Sequence, residues 1–253
     1  MTLETAYEVG RLFAPLNTIA SVLTASQKDI FIRLPGLAGY YPMSVVTNTG
    51  AAGEHSQGGT QLSETGVVPI AFDGNAYRHL GNGTNYLSAV GVYGLTGTET
   101  YIDVSLRGFS VGCWCMVDTV PAVSGAVLGR DGIASNRGYS VTFNSSQEFR
   151  FILSGTGGAA FPAVGLPTTL GVWHFIVGRF IPSAEIAIIV DGDKQTNTTA
   201  IPASCNVSTQ AFEVGRSLND DTRILHAKVR DLFICSVALT DAQIEELRIS
   251  STP

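Results

Sequence analysis

Charged residues are scarce in this sequence. Asp, Glu, Lys and Arg make up 14% of the 253 residues, against about a quarter in a typical domain, and the formal net charge is -6. Lys and Arg form no stripe that could follow a phosphate backbone, so a nucleic-acid partner is not expected. With 45% hydrophobic residues the chain is not disordered, and it is long enough to bury one large core.

Cysteine is also rare. The cysteines Cys113, Cys115, Cys205 and Cys235 are too few and too irregularly spaced for a disulfide framework or a zinc site. Cys113 and Cys115 flank Trp114 in a predicted strand, so alternation places both thiols on one face and the indole on the other. We favour buried free thiols. One or two disulfides, with Cys205 and Cys235 as candidates, are the open alternative.

Long apolar runs and an export signal are both missing. No stretch reaches the roughly 20 residues that a membrane-spanning helix needs. Glu4 and Glu8 precede any apolar run, and the N-terminus lacks the positive charge of a secretory signal. We therefore expect neither a transmembrane segment nor a signal peptide.

Glycine, by contrast, is abundant and indicates many short strands. The 28 glycines lie in short runs rich in Ser, Thr and Asn, as expected for turns in an all-β sandwich of two antiparallel sheets. Residues 48–63 and 155–158 are predicted to be surface loops. The predicted strands are Tyr101 to Val104, Phe109 to Val117, Ala126 to Gly129, Tyr139 to Phe143, Phe149 to Leu153, Trp173 to Phe180, Ile186 to Val190, Ala211 to Val214 and Lys228 to Cys235.

One hairpin is especially clear. Between Gly171 and Asp193 the first apolar strand begins at Trp173, and the second ends at the turn pair Asp191 and Gly192. His174 follows the tryptophan, and we interpret it as a packing or hydrogen-bonding residue. The pattern predicts a central pair of antiparallel strands.

The N-terminal part carries a helical pattern. Leu16, Ile19, Ala20 and Leu23 follow one another at helical spacing and give one apolar face. This face would dock either on the sandwich or on another protein. Residues 30–34 alternate in pattern and are predicted to be a strand or a connector.

The C-terminal part predicts a short helix. Thr240 and Gln243 form a capping-box pattern, and Arg248 lies near the C-terminal end, where the helix dipole favours a cation.

A set of short motifs, in chain order, resembles the laminin-G-like family of concanavalin A-like sandwiches. They lie at Leu37–Met43, Ala71–Gly74, Tyr86–Ser88, Phe109–Trp114, Trp173–Gly192, Phe212–Gly215, Val229–Ile234 and Ala238–Ile244. The resemblance implies an all-β, two-sheet antiparallel jelly-roll sandwich with a short N-terminal helical or extended segment and a short C-terminal helix. We accordingly divide the chain into an attachment segment, residues 1–36, and a jelly-roll domain, residues 37–253.

The same resemblance implies a calcium site. In related jelly rolls an Asp on the last strand commonly joins backbone carbonyls of the opening segment around calcium, which prefers oxygen ligands. Here Arg230 replaces the first Asp of the family's Asp-Asp pair, and only Asp231 is retained. Asp231 and Asp73 are therefore the candidate calcium ligands, and a structural role for both, as turn caps or acceptors of backbone amides, is the alternative that we favour.

Catalytic patterns are absent. Jelly rolls that cut glycans use carboxylates at alternate positions of one strand, and the nearest candidates, Glu99 with Asp103 and Asp191 with Asp193, lack that arrangement. The sequence has no His-Glu-x-x-His motif, nucleophile elbow or phosphate loop. We therefore predict a protein that is not an enzyme.

Glycan binding is compatible with the sequence. Lectin sites combine aromatic platforms with Asn, Asp and backbone donors. The candidate residues are Tyr86, Asn85, Asn219 and Asp220. A tyrosine in such a strand also suits a core or rim position.

Three functions compete. We favour a non-enzymatic structural protein at the surface of a virion, such as a phage fibre, tail appendage or capsid decoration, because lysis would release a sandwich that lacks an export signal. Its expected partners are other virion proteins through residues 1–36, further copies of itself in an assembly, and host glycans. The alternatives are a soluble carbohydrate-binding lectin and a glycan hydrolase or lyase with an atypical site.

Overall fold

The computed structural model describes residues 30–31, 33–41, 51–52, 62–65, 72–73, 77–80, 86–89, 108–132, 134–157, 159–162, 165–206, 208, 210, 212–216 and 225–253. These residues form two antiparallel sheets and one C-terminal helix, α1 (Asp241–Ser250). The predicted all-β sandwich with its short terminal helix is confirmed.

The first sheet, sheet A, has strand order β15-β14-β13-β7-β17-β5-β4, and β1 pairs with β17 beside β5. Its strands are β1 (Leu37–Tyr41), β4 (Phe72–Asp73), β5 (Tyr77–Leu80), β7 (Phe109–Val117), β13 (Trp173–Ile181), β14 (Glu185–Val190), β15 (Asp193–Asn197) and β17 (Ala227–Cys235). The predicted hairpin is therefore β13 and β14, and its second strand ends at the Asp191–Gly192 turn, where both residues have positive φ.

The second sheet, sheet B, has strand order β11-β10-β9-β8-β16-β6-β3-β2, and β12 pairs with β10. Its strands are β2 (Ala51–Ala52), β3 (Leu62–Thr65), β6 (Tyr86–Ala89), β8 (Gly125–Asp131), β9 (Arg137–Phe143), β10 (Glu148–Ser154), β11 (Ala160–Pro162), β12 (Leu166–Pro167) and β16 (Phe212–Val214), with a 3-10 turn at Ala134–Asn136. The predicted loop at 48–63 is wrong in part, because it contains β2 and the beginning of β3. The predicted strand at Tyr101 to Val104 lies outside the described residues.

The main core lies between the sheets and follows from the alternation of the strands. Inward-facing residues of β7, β9, β10 and β13 form one buried cluster, including Cys113, Cys115, Phe143, Phe151 and Ile176. Trp114 faces the other side of sheet A, as alternation predicts. All four cysteines are buried and free, which confirms the interpretation that we favoured.

A second apolar cluster covers the outer face of sheet A. Trp114, Phe175 and Phe233 pack there against Ile244 and Leu247 of α1. The predicted capping box at Thr240 and Gln243 is confirmed. Helix α1 thus closes the side of sheet A that faces away from sheet B.

Polar contacts hold α1 in place. Trp114 Nε1 donates to Ser251 Oγ at 2.8 Å, just beyond the helix. Arg179, on β13, donates to the Leu239 carbonyl at 2.9 Å and also contacts Asp241. Since Arg179 is only 4% exposed, these bonds satisfy a buried cation.

The described end of the predicted attachment segment packs on the same face. Ile30 and Phe31 are helical and residues 33–36 form a turn, so the connector alternative for this stretch is correct. The Phe31 ring stacks on Tyr40 at 4.6 Å between centroids and is fully buried. The rest of the predicted N-terminal helical pattern lies outside the described residues, and the division of domains at residue 36 stays a prediction.

The missing side chain at Gly178 leaves room for a ring of the facing sheet. Gly178 lies on β13, and a Cβ built there would overlap the ring of Phe151 on β10. We expect Gly178→Ala to lower the free energy of unfolding by about 3 kcal/mol, because the packed core offers no space for another carbon. Denaturant titration measures the change.

A double variant provides the control for this prediction. In Gly178→Ala/Phe151→Leu the smaller side chain at residue 151 leaves room for the added methyl group, so the two costs should partly cancel. Costs that simply add would show that Gly178 does not determine the packing between the sheets.

Candidate functional site

The predicted calcium ligand Asp231 lies at a bulge in β17, where the pairing with β7 shifts between Arg230 and Phe233. Its φ is +50°, an unusual value for a residue with a side chain. Oδ1 accepts a hydrogen bond from the Tyr40 hydroxyl at 2.6 Å, and Oδ2 accepts one from Arg230 Nε at 2.7 Å. The carboxylate thus ties the first described strand to the last.

These contacts shift the titration of both partners. Burial raises the pKa of the Asp231 carboxyl, although Arg230 and the two hydrogen bonds oppose that effect. Burial and the neighbouring carboxylate of Asp231 raise the pKa of Tyr40 far above the usual tyrosine value. The Tyr40 hydroxyl therefore keeps its proton at pH values where an ordinary tyrosine ionises.

The environment of Asp231 fits a calcium site poorly. Both carboxylate oxygens are engaged by protein donors, and one donor is the cationic Arg230, whereas calcium needs several oxygen ligands that are open to it. Asp73 ends β4, two strands from β17, and its side chain is not among those described. Within the described residues no group of three or more His, Cys, Asp or Glu residues could hold a metal ion. Calcium at Asp231 and Asp73 stays a prediction.

Tyr40→Phe tests the structural role of this contact. It removes the hydroxyl that donates to Asp231 Oδ1, so the buried carboxylate loses one of its two hydrogen bonds. We therefore expect the free energy of unfolding to fall by about 1–3 kcal/mol. Tyr139→Phe is the matched control, because the Tyr139 hydroxyl is buried without a hydrogen-bond partner. Thermal and denaturant unfolding should show a change of about 0.5 kcal/mol or less for the control, and equal losses would contradict the assignment.

The loops at one end of the sandwich form a candidate site, which we call the loop rim. The loop rim consists of loop 118–124 after β7, turn 144–147 between β9 and β10, loop 168–172 before β13, and the Asp191–Gly192 turn. Antiparallel pairing places these connections together, because Trp173 pairs with Met116 and Gly125 pairs with Phe143.

Backbone hydrogen bonds connect the parts of the loop rim. The Gly171 N–H donates to the Val117 carbonyl at 2.9 Å, which ties loop 168–172 to the end of β7. The Thr168 N–H donates to the Gln147 carbonyl at 2.9 Å, which ties the same loop to sheet B. Loop 168–172 therefore bridges the two sheets.

The loop rim exposes apolar side chains. Val120, Val123 and Val172 are 38%, 51% and 47% exposed, and they are three of the four large exposed hydrophobic residues in the described part of the chain. The fourth, Ile249, lies on α1. Exposed apolar groups grouped at one end of a domain are typical of a contact surface.

The predicted glycan residues are only partly located. Tyr86 begins β6, and Leu87 pairs with Val214 at the end of β16, so both strand ends lie at the loop rim. Asn85 directly precedes Tyr86, while Asn219 and Asp220 follow β16 in the chain. These three residues and the Tyr86 side chain lie outside the described part, so their role as glycan ligands stays a prediction.

His174 and Asp191 form a partly buried pair at the loop rim, in which the carboxylate side is exposed. His174 Nδ1 lies 2.6 Å from Asp191 Oδ2, and His174 Nε2 lies 3.0 Å from the Thr169 carbonyl oxygen. Asp191 Oδ1 accepts the N–H of Phe175 at 2.8 Å. The imidazole is 11% exposed and approaches the edge of the Phe149 ring in sheet B.

The contact shifts the pKa values of both groups in the direction that favours their charged forms. Burial lowers the pKa of His174, but its hydrogen bonds to Asp191 and Thr169 outweigh this effect, and the pKa lies above the usual histidine value. Burial acts to raise the pKa of Asp191, and the bonds from His174 and Phe175 more than offset it, so this pKa is lowered. Both shifts favour the pair of imidazolium and carboxylate over the neutral pair.

Other carboxylates are held by cations of the same chain. Arg150 contacts Glu148 at 3.0 Å, and Arg248 contacts Glu245 at 2.6 Å. Arg179 contacts Glu185 at 2.6 Å and also Asp241. Two pairs of carboxylates came nearest to the glycosidase pattern in the sequence. In one of them Asp191 is bound to His174, and the other, Glu99 with Asp103, lies outside the described residues.

The ion pair and the exposed valines were missed by reasoning from the sequence. The interpretations of His174 as a packing or hydrogen-bonding residue and of Asp191 as part of a turn are confirmed, but the contact between the two was not predicted. The hairpin itself carried the missing signal, because an antiparallel pair brings the beginning of its first strand beside the end of its second. The residue directly after Trp173, which is His174, must then lie near the Asp191–Gly192 turn.

The sequence of the chain matches a known protein family. The family described as the concanavalin A-like lectin/glucanases superfamily matches residues 68–245, well over half of the chain. The chain belongs to this superfamily. No protein of curated function matches it.

Solved structures share the superfamily fold. The binding domain of botulinum neurotoxin DC in complex with rat synaptotagmin II is 14% identical with a TM-score of 0.63, covering 86% of this chain and 52% of that chain. A structure of botulinum neurotoxin type C, titled for entry that depends on two ganglioside molecules, is 14% identical with a TM-score of 0.61, covering 90% and 53%. Trypanosoma rangeli sialidase in complex with 2,3-difluoro-KDN is 14% identical with a TM-score of 0.61, covering 94% and 40%.

These likenesses concern the fold. The chain spans about half or less of the length of each of these structures. None of the described helices is both long and apolar enough to cross a membrane.

Proposed function

We propose that the protein is a non-enzymatic binding protein of a virion surface whose loop rim contacts host glycans. One observation carries the binding function. Three exposed valines, the beginning of β6 and the end of β16 lie at the same end of the sandwich. Glycan sites need both apolar contact surface and convergent polar groups. The valines provide the apolar surface, and we propose that Asn85 and Asn219 provide the polar groups.

The superfamily and its structural neighbours support glycan binding. Neighbouring structures include a botulinum neurotoxin DC binding domain in complex with SialylT and a structure of botulinum neurotoxin type C, titled for cell entry that depends on interaction with two ganglioside molecules. Those ligands belong to those proteins. They support a sugar-binding role, and for this chain glycan contact at the loop rim is our proposal.

The engaged carboxylates support the non-enzymatic part of the proposal. Glycan hydrolysis needs one carboxylate as nucleophile or base and another as acid. Asp191, Glu148 and Glu245 are all bound to cations of the chain. A glycan hydrolase or lyase is the alternative, and the sialidase among the neighbours makes a direct assay for hydrolysis of sialosides its appropriate test.

A glycan array tests the proposed site. We expect wild-type protein to bind a defined set of glycans, and Asn219→Ala/Asp220→Ala to lose about tenfold or more in affinity, because convergent polar groups provide specificity. Gln195→Ala is the control, since Gln195 is exposed on β15 away from the loop rim. Equal binding by both variants would place the glycan elsewhere, and an array without any bound glycan would overturn glycan binding.

The virion placement rests on the predicted attachment segment. Its described end, Ile30 and Phe31, packs beside α1, so a truncation that preserves the sandwich must stop before Ile30. We expect the full chain to sediment with virus particles and a chain lacking residues 1–29 to remain in solution while keeping its unfolding midpoint. Sedimentation of both forms, or of neither, would contradict attachment through this segment.

A further inference from the structure

Both ring nitrogens of His174 face atoms that only accept hydrogen bonds. Nδ1 faces the Asp191 carboxylate at 2.6 Å, and Nε2 faces the Thr169 carbonyl oxygen at 3.0 Å. A neutral imidazole carries one N–H, whereas an imidazolium carries two. The arrangement is therefore complete only when His174 is protonated.

Loss of the proton leaves one of the two contacts without a hydrogen. The remaining N–H should stay with Asp191, because a hydrogen bond to a carboxylate is stronger than one to a neutral carbonyl. The second nitrogen then presents a lone pair to the Thr169 oxygen, and that contact becomes repulsive. The change occurs in loop 168–172, which contains Thr169 and the exposed Val172.

We propose that His174 is a proton-operated latch for the loop rim. The protonated imidazole holds loop 168–172 against the hairpin of β13 and β14, and deprotonation releases the loop at Thr169. The latch regulates the position of one part of the loop rim and does not require that the rim bind a glycan.

The charged groups around the imidazole are consistent with this assignment. From β7, the buried thiol of Cys115 is paired opposite His174, and its raised pKa, caused mainly by burial, keeps it neutral. From β10, Phe149 contacts the ring, and the adjacent Glu148 is bound by Arg150. Asp191 is the charge that acts directly on the imidazole.

Helix α1 acts on the latch through Asp191. Arg248 helps to lower the pKa of Asp191, and Arg248 is itself paired with Glu245. The folded-state pKa of His174 is raised, so the stabilisation from the latch is complete below the ordinary histidine pKa and is lost as the pH rises through the raised value. Release is thus expected as the pH rises above the ordinary histidine pKa.

Hydrogen exchange at Gly171 measures the state of the latch. The Gly171 N–H is bonded to Val117 and reports whether loop 168–172 is docked, whereas the Gly155 N–H, bonded to Ala159 in another loop, is the internal control. Between about pH 6 and about pH 9 we expect the protection factor of Gly171 to fall about tenfold while that of Gly155 stays constant. Constant protection at Gly171 would overturn the proposal.

Nitrogen NMR of the histidine rings provides an independent measurement. At about pH 6 both ring nitrogens of His174 should show the chemical shifts of protonated nitrogens, and Nε2 should lose its proton during the same transition as the Gly171 change. A single protonated nitrogen at this pH would contradict the latch.

Asp191→Asn is the variant that tests the latch most directly. The Asn side chain can donate to Nδ1 and still accept the Phe175 N–H, so a neutral imidazole with its proton on Nε2 keeps the bond to Thr169. Asn also tolerates the positive φ of residue 191, which is +53°. The latch should then remain closed at high pH, and Gly171 protection should no longer depend on pH.

Asp193→Asn is the matched control. It removes the same charge two residues further on, at the exposed beginning of β15, without touching the imidazole. We expect this variant to keep the pH dependence of the wild type. Retention of that dependence in Asp191→Asn, or its loss in Asp193→Asn, would show that general electrostatics rather than the latch controls the loop.

Discussion

The structure depends on the burial of sheet A on both of its faces. One face packs against sheet B, and the other packs against α1 and the residues around Phe31. Central strands such as β13 are therefore buried along almost their whole length rather than at alternate positions. A strand of this kind tolerates few polar residues, and Arg179 is accommodated only because Glu185, Asp241 and the Leu239 carbonyl satisfy its guanidinium.

Much of the sandwich could be predicted from the sequence, because local patterns and long-range packing agree there. The Trp173 to Gly192 hairpin, the alternation around Trp114 and the capping box at Thr240 all follow from short-range rules. Asp231 shows the limit of those rules. Its positive φ is imposed by a bulge and a partner, Tyr40, that lies 191 residues away in the chain, and no local pattern specifies either.

The candidate site was harder to predict for a related reason. Its parts come from separate connections, and only the strand register brings them to one end of the sandwich. The polar candidates Asn85 and Asn219 could be selected by residue type, whereas Val120 and Val172 resemble ordinary apolar residues until their exposure is known. His174 illustrates the same point. Its partner Asp191 lies in a turn that is 17 residues away along the chain but adjacent in space.

The position of β17 has a consequence for synthesis of the protein. This strand lies between β7 on one side and β1 and β5 on the other, although it comes last among the strands. While the ribosome is still translating the preceding residues, β7 can pair with β13, but the strand that joins β7 to β1 and β5 is missing. The central pairing of sheet A must therefore wait until residues 227–235 have emerged, which favours slow folding of the whole sandwich over stepwise folding during translation.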